Sequence, residues 1–130
     1  MTILVAYAPR PEGQAALDKG IEIAKRRNEP LMVVNATPGD GDDASMASAH
    51  DAERIEKLLA DAKVDGVFKQ FGRGKSTVEE IENLVDTLPA SLLIIGIRKR
   101  SPVGKLILGS VAQELLMSVS CPVLSVKAGM

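Results

Sequence analysis

The sequence SLLIIGIRKRSPVGKLILGS, residues 91–110, contains the features that decide the fold of this chain. Its opening segment, Ser91 to Ile95, is the most continuously apolar run, which predicts a strand buried on both faces at the centre of a parallel sheet. The residues from Gly96 to Ser110 include three glycines, four basic residues and no acidic residue. We interpret them as a loop that leaves the carboxyl end of the central strand and leads into a helix at Ser110.

Strands and helices are predicted to alternate along the rest of the chain. Short apolar and β-branched runs indicate strands, and apolar residues at helical spacing indicate helices. The predicted strands are Ile3–Tyr7, Leu31–Ala36, Val64–Phe71, Ser91–Ile95 and Val123–Lys127. The predicted helices run from about Glu12 to Asn28, over Ala52–Ala62, from Ser76 or Thr77 to just before Pro89, and from about Ser110 to Ser118. Strict alternation with short connections implies right-handed crossovers, and therefore an α/β fold with a parallel sheet between two helical layers.

The third predicted strand differs from the others because it is more polar. Val67 and Phe71 alternate with Lys69 and Gln70 there, as expected for a strand with one wetter face. We therefore expect this strand at an edge of the sheet.

Length and composition limit the range of functions. A chain of 130 residues is expected to form one domain, residues 1–130, around a single core. Its formal net charge of -1 provides no overall field for nucleic acid or an anionic membrane, so any preference for anions has to be local. No apolar run approaches the roughly 20 residues that span a bilayer, and the first residues do not resemble a signal peptide, so we expect a cytoplasmic protein. The single cysteine, Cys121, is expected to be a small buried apolar residue.

Three other features of the sequence do not match the catalytic, metal-binding or phosphate-binding motifs that they superficially resemble. His50 is the only histidine and lies among polar residues, which leaves no basis for a Ser-His-Asp triad or a histidine zinc site. The acidic stretch TPGDGDDAS, residues 37–45, lacks the closing glutamate of a calcium loop. The stretch FGRGKST, residues 71–77, ends like a P-loop, but Lys69 occupies the position of the first glycine of that motif.

The stretch from Gly96 to Ser110 is consistent with two interpretations. In the first, Gly96 ends the central strand where a side chain would obstruct a ligand, and Gly109 and Ser110 present amides and a hydroxyl to an anion at a helix N-terminus. In the second, Gly96 forms a tight turn and Ser110 is an ordinary N-cap. The spacing of the residues alone does not separate these two interpretations.

The sequence resembles the universal stress protein family. The hallmark of that family is a glycine, two residues, a glycine, nine residues, and then a glycine followed by serine or threonine, which Gly96, Gly109 and Ser110 match. The opening strand with its proline-rich turn and the closing CPVLSVK extend the resemblance over nearly the whole chain. The resemblance implies a Rossmann-like, adenine-nucleotide α-hydrolase-like fold with five parallel strands in the order 3-2-1-4-5. It also implies a site for ATP or AMP, between strands one and four, in some members but not in others.

Two positions depart from the pattern of the nucleotide-binding members. Lys99 replaces the second glycine of the hallmark, and Ala8 replaces the aspartate at the end of strand one. Lys99 is expected to be unfavourable where a glycine permits a positive φ, although its ammonium group could attract a phosphate. The residues expected to line the phosphate are Gly96, Gly109, Ser110 and the amide of Val111, with Arg98 and Lys99 nearby, and those expected to border the nucleoside are Tyr7, Ala8 and Asn35.

The resemblance favours a small non-catalytic stress-response protein that acts through a bound adenine nucleotide or through protein partners. The apolar last strand, Val123–Lys127, is expected to pair with its copy in a homodimer, because that would cover an exposed sheet edge. A slow ATPase is an alternative, although we find no carboxylates beside the loop to hold a metal ion. Nucleic-acid binding through the basic residues is disfavoured by the net charge and by the lack of aromatic residues in that segment.

Overall fold

The computed structural model describes residues 1–35, 49–70, 77–100, 105–107 and 110–128. Its strands are β1 (Thr2–Tyr7), β2 (Leu31–Asn35), β3 (Gly66–Lys69), β4 (Ala90–Arg100), β5 (Lys105–Ile107) and β6 (Val123–Lys127). Its helices are α1 (Pro11–Arg27), α2 (Ala49–Asp61), α3 (Thr77–Thr87) and α4 (Ser110–Ser118). The acidic stretch 37–45, the P-loop-like residues 71–76 and Gly109 lie outside the described residues.

Five of these strands form a parallel sheet in the order β3-β2-β1-β4-β6. Tyr7 is in register with Asn35 across β1 and β2, and Val5 is in register with Ile94 across β1 and β4. Because β6 is the fifth of the parallel strands along the chain, this order is the predicted 3-2-1-4-5. The predicted α/β fold is therefore confirmed.

Alternate residues of the central strands point into two apolar clusters, one on each face of the sheet. One cluster combines strand residues with α1 and α2, and contains Ile3, Val5, Tyr7, Ala16, Leu17, Leu31, Val33, Ile55, Leu59 and Ile94. The other combines the opposite strand faces with α3 and α4, and contains Leu4, Val34, Val78, Ile81, Val85, Leu93, Ile95 and Leu115. Both faces of β1 and β4 are buried, which explains why their sequences are continuously apolar rather than alternating.

Helix α1 has local signals at both ends. Pro11 occupies its first turn, where a missing N–H costs nothing, and Arg10 precedes it in extended conformation. Asn28 ends the helix in the left-handed region, with φ of 55°, and donates its backbone N–H to the Ala24 carbonyl. Pro30 then prevents the helix from continuing.

The predicted loop after Ile95 is wrong in part, because the chain forms a β-hairpin there. Strand β4 continues to Arg100, and its last residues pair antiparallel with β5: Arg98 with Ile107, Lys99 with Leu106 and Arg100 with Lys105. Gly96 therefore lies inside a strand rather than at its end. Lys99 is in paired extended backbone, so the expected difficulty with a positive φ does not arise.

Strand β3 lies at one edge of the sheet, as predicted, but its inward face differs from the predicted one. Phe68 packs against the α1–α2 cluster, whereas Val67 is 44% exposed. The apolar residue that faces the core is therefore Phe68, one position later than the predicted Val67.

Candidate functional site

The candidate site lies between β1 and β4, because the chain leaves these two neighbouring strands toward opposite faces of the sheet. Strand β1 is followed by α1, which packs on one face, and the neighbouring strand β4 leads through β5 to α4, which packs on the other. The carboxyl ends of two such parallel strands leave a crevice between them, which is the usual ligand site of this fold class. The hairpin returns the chain to this place, because Ile107 pairs with Arg98 and Ser110 follows three residues later, within about 11 Å.

The backbone groups of Gly96 face the crevice, and a side chain at this position would point toward α1. Leu93 donates its N–H to the carbonyl oxygen of Pro122, the residue before β6, so the backbone groups of Leu93 face β6. Backbone groups along a strand in a parallel sheet point alternately to its two neighbours, so those of Gly96, three residues later, face β1. A Cβ atom at Gly96 would overlap the carbonyl oxygen of Glu12 and lie 2.6 Å from its carbonyl carbon. The glycine is therefore required by the approach of α1, and the sequence-based explanation that a side chain would obstruct a ligand is wrong.

A second glycine, Gly13 in the first turn of α1, permits a similar close approach of the helix to the residue after β1. A Cβ atom at Gly13 would overlap the carbonyl oxygen of Ala8 and lie 2.9 Å from its backbone nitrogen. The Ala8 carbonyl also accepts the N–H of Arg10 at 2.7 Å, which forms the tight turn into α1. The first turn of α1 is thus held by backbone contacts against the ends of β1 and β4.

Tyr7, the last residue of β1, is joined to the first turns of α2. Its side chain is 2% exposed, and its hydroxyl donates to Oδ2 of Asp51 at 2.9 Å. Arg54 donates to the Tyr7 hydroxyl at 3.1 Å and to Oδ1 of Asp51 at 2.9 Å. The ring of Tyr7 meets Phe68 edge to face, with centroids 6.3 Å apart. This network links the carboxyl end of β1 to α2.

The pKa of Tyr7 is raised to about 12, mainly by burial and in addition by the hydrogen bond and negative charge of Asp51. Arg54 acts in the opposite direction but does not cancel these effects. Tyr7 is therefore a neutral hydrogen-bonding group at physiological pH and not a general base.

Asn35 connects the ends of three strands. It is 2% exposed, and its side-chain amide donates to the backbone carbonyl of Tyr7 at 3.1 Å. Gln70, just after β3, donates to the Asn35 side-chain oxygen at 3.1 Å. The side chains expected to border a nucleoside are thus bonded within the protein.

The structure brings some of the predicted site residues together. Tyr7, Ala8 and Asn35 meet at the ends of β1 and β2, and Gly96 lies on the adjacent strand. Arg98 and Lys99 lie in the hairpin part of β4, and Ser110 and Val111 are the first residues of α4. Gly109 cannot be placed, since it lies outside the described residues.

Sequence reasoning missed Asp51, Arg54 and Gln70. Asp51 and Arg54 have the i, i+3 spacing of an ordinary helical ion pair, which gives no indication of a contact with a tyrosine 44 residues away. A signal was available for Tyr7 itself, because it is the only tyrosine and its hydroxyl requires a partner when it is buried.

Other groups in the described residues add little chemistry to this site. No cluster of histidine, cysteine, aspartate or glutamate with metal-binding geometry occurs in the part of the chain that is described. Cys121 is a half-buried free thiol, and burial raises its pKa, consistent with the predicted apolar packing role. None of the described helices combines the length and apolar character that crossing a membrane requires.

Known proteins are similar to this chain over nearly its whole length. The family model of the universal stress protein family matches residues 1–127. A universal stress protein of Mycolicibacterium smegmatis is 47% identical over 126 residues, which cover 96% of each chain. The chain belongs to the universal stress protein family. Solved structures agree in fold: a universal stress protein from Archaeoglobus fulgidus has a TM-score of 0.78 at 29% identity, with 97% of each chain covered.

A second structure of a universal stress protein from Archaeoglobus fulgidus, in complex with dAMP, has a TM-score of 0.72 at 21% identity and covers 97% of this chain and 96% of that one. At this identity the likeness concerns the fold. In the present chain, the hallmark position Gly96 lies on β4 and the hallmark position Ser110 lies at the start of α4, on either side of the β4–β5 hairpin.

Proposed function

We propose that this chain is a small, non-catalytic stress-response protein with a weakened adenine-nucleotide site between the carboxyl ends of β1 and β4. The observation that carries the proposal is that β1 and β4 lead to opposite faces of the sheet, with the backbone of Gly96 directed into the crevice between them. The dAMP complex of a protein with the same fold supports the choice of an adenine nucleotide as the ligand class.

In this proposal the two ends of the nucleotide are bound differently. Gly96, Gly109, Ser110 and the amide of Val111 would line the phosphate at the positive end of the α4 dipole, with Arg98 and Lys99 nearby. Tyr7, Ala8 and Asn35 would border the nucleoside. ATP and AMP are both candidate ligands, because each carries adenosine and a terminal phosphate.

The nucleoside end explains why the site is weak. Ala8 provides no carboxylate, and a hydrogen bond to a charged group contributes about 1.5–3 kcal/mol, or about tenfold to a hundredfold in affinity. Asn35 and Tyr7 are already bonded within the protein, so a nucleoside has to compete with those contacts. A dissociation constant in roughly the millimolar range is the expected result.

Calorimetry with ATP, ADP and AMP tests this proposal. We expect weak binding by the natural sequence and at least about tenfold tighter binding by the double variant Ala8→Asp, Lys99→Gly. Adding Ser110→Ala to the double variant should remove most of the gain, which assigns the gain to this site. Absence of heat from both proteins would contradict the proposal. Binding by the double variant alone would indicate a nucleotide-free member that acts through protein partners.

Catalysis is tested separately from binding. We expect no phosphate release from ATP above a blank without protein. Release that Ser110→Ala abolishes would instead assign a slow ATPase activity to the crevice.

The second part of the proposal is a homodimer formed by pairing of β6 with its copy. Among the described strands β6 pairs only with β4, and Val123, Leu124 and Val126 are only half-buried. Because Pro122 faces β4, the backbone groups of Val123, Ser125 and Lys127 point away from the sheet. An outward row of donors and acceptors flanked by apolar side chains suits antiparallel pairing with an identical strand.

Ser125→Pro provides a matched test, since it removes an outward N–H without breaking the pairing to β4. We expect the natural protein to sediment as a dimer at micromolar concentration and Ser125→Pro to shift it toward a monomer that still unfolds cooperatively, at a lower temperature because the stabilisation by association is lost. A natural protein that is entirely monomeric would contradict the dimer.

A further inference from the structure

The surface between α3 and residues 113–118 of α4 is acidic and partly apolar, and it includes none of the residues assigned to the crevice or to the β6 edge. The charged residues of the two helices are Glu79, Glu80, Glu82, Asp86 and Glu114, and neither helix contains lysine or arginine. All charged side chains of these two helices are therefore negative.

A groove runs between the two helices, and we call it the α3–α4 groove. Val78, Glu79 and Glu82 form its α3 wall, and Glu114 and Met117 are on its α4 wall. Met117 is 88% exposed. The carboxylates of Glu82 and Glu114 form no hydrogen bond or ion pair with any described residue, so both are available to a partner.

Met117 is the unusual residue of this groove. A methionine side chain is flexible and polarisable, and it is common on surfaces that receive the apolar face of another protein. Leu116, next to it, is 40% exposed. Leu116 is not among the residues that line the groove, so Met117 is the exposed apolar anchor of the groove.

We propose that the α3–α4 groove binds an amphipathic helix of another protein, with apolar residues that contact Met117 and lysine or arginine residues that pair with Glu82 and Glu114. Helix-in-groove recognition uses apolar anchors, for which Met117 offers a contact, and the acidic rim selects a basic segment by charge complementarity. A second copy of the chain does not provide such a helix within the described residues. The exposed large apolar residues there are Met1, Val67, Leu116 and Met117, and none shares a helix with a basic residue.

The probe is a labelled peptide of roughly 14 residues, about four turns, made of leucine and lysine with the leucines on one helical face. A peptide of the same composition with the leucines distributed around the helix is the control for charge alone. Binding is measured by fluorescence anisotropy with the full-length protein. We expect the amphipathic peptide to bind at least about tenfold more tightly than the control, and the affinity to fall as salt is raised.

Single variants then place the peptide on the groove. Met117→Ser should weaken binding about tenfold, and Glu82→Gln about threefold. Glu53→Gln, the same charge change at an exposed position of α2, should leave binding unchanged. Both groove residues are solvent-accessible, so the variants are expected to fold as the natural protein does.

Three results would overturn the proposal. Equal binding of the two peptides would indicate nonspecific electrostatic attraction, and equal losses from Glu82→Gln and Glu53→Gln would indicate the same. A shift from dimer to monomer caused by Met117→Ser in sedimentation would identify the groove as a contact between copies.

Discussion

The two faces of the sheet are packed differently, although both are covered by helices. On one face α1 buries Gly13, Ala16, Leu17, Gly20 and Ala24, and its first turn approaches to backbone contact with β1 and β4. On the other face, within residues 112–118 of α4, only Leu115 is buried, and Leu116 and Met117 are exposed.

This difference indicates which parts of the molecule are fixed and which can receive a partner. Contacts between backbone atoms cannot be relieved by changing a rotamer, so the first turn of α1 defines the shape of the crevice. On the opposite face α3 buries Val78, Ile81 and Val85, but residues 112–118 of α4 bury only Leu115 and retain apolar surface. The same sheet therefore supports a preformed crevice on one face and the proposed docking groove on the other.

The largest effect is expected for Leu115→Ala, at the one buried residue within 112–118 of α4. Leu115 has no exposed surface, and truncation of a buried leucine costs about 2–5 kcal/mol. We expect a loss of about 3 kcal/mol in the free energy of unfolding, measured by urea denaturation. Leu116→Ala is the matched control, because the adjacent leucine is 40% exposed and should cost well under half as much. Equal losses would mean that α4 packs differently from this description.

The next effect is expected for Gly96→Ala on the closely packed face. Alanine is intrinsically better than glycine in a strand, but its Cβ would overlap the Glu12 backbone. We expect a net destabilisation of about 2 kcal/mol, because α1 has to move.

Gly66→Ala in β3 is the matched control for Gly96→Ala. Its Cβ would lie 3.2 and 3.3 Å from the methyl groups of Leu59, which can shift, and 3.5 Å from the Leu31 carbonyl oxygen, which is an ordinary contact distance. We expect less than about half the loss caused by Gly96→Ala. A neutral or stabilising Gly96→Ala would remove the basis for a rigid crevice.

The parts of this fold that the sequence predicts are those in which a single strand or helix carries its own signal. Val123–Lys127 is an apolar run bounded by Pro122, and the strand has these bounds in the structure. The order of the parallel strands follows because alternation leaves few allowed connections. The family hallmark likewise directs attention to Gly96 and Ser110 before any contact is known.

The remaining features depend on contacts between distant parts of the chain. The β4–β5 hairpin was not predicted, because a basic stretch containing glycine and proline is more typical of a loop than of paired strands. The role of Gly96 depends on the position of Glu12, 84 residues earlier in the chain by their numbers. The Tyr7–Asp51–Arg54 network joins polar residues that match no motif, so nothing in the sequence separates them from surface residues.

A smaller effect is expected for Tyr7→Phe, which tests whether the network contributes to the closely packed face. The substitution removes the hydroxyl but leaves the ring contact with Phe68 and the bond between Arg54 and Asp51. We expect a loss of about 1 kcal/mol in the free energy of unfolding, the usual contribution of one hydrogen bond. In an Asp51→Asn background the same substitution should cost less, since the two residues share the bond. Full additivity of the two losses would show that the contact is not energetically coupled.

The last expected effect is absent at neutral pH and develops only in alkali. The pKa of Tyr7 in the folded protein is about 12, raised first by burial and then by Asp51, whereas tyrosine in an unfolded chain titrates near 10. The neutral phenol therefore stabilises the fold fully below about pH 10, and this contribution is lost as the pH rises toward 12, because the unfolded state releases its proton first.

Tyr7 is the only tyrosine, so ultraviolet absorbance of tyrosinate reports this group alone. Asp51→Asn should lower the pKa of Tyr7 but leave it above that of the urea-unfolded chain, since burial remains, whereas Asp61→Asn at the exposed end of α2 should not change it. A folded protein whose tyrosine titrates as it does in urea would show that Tyr7 is not enclosed, and the two faces of the sheet would then differ less than the contacts of α1 indicate.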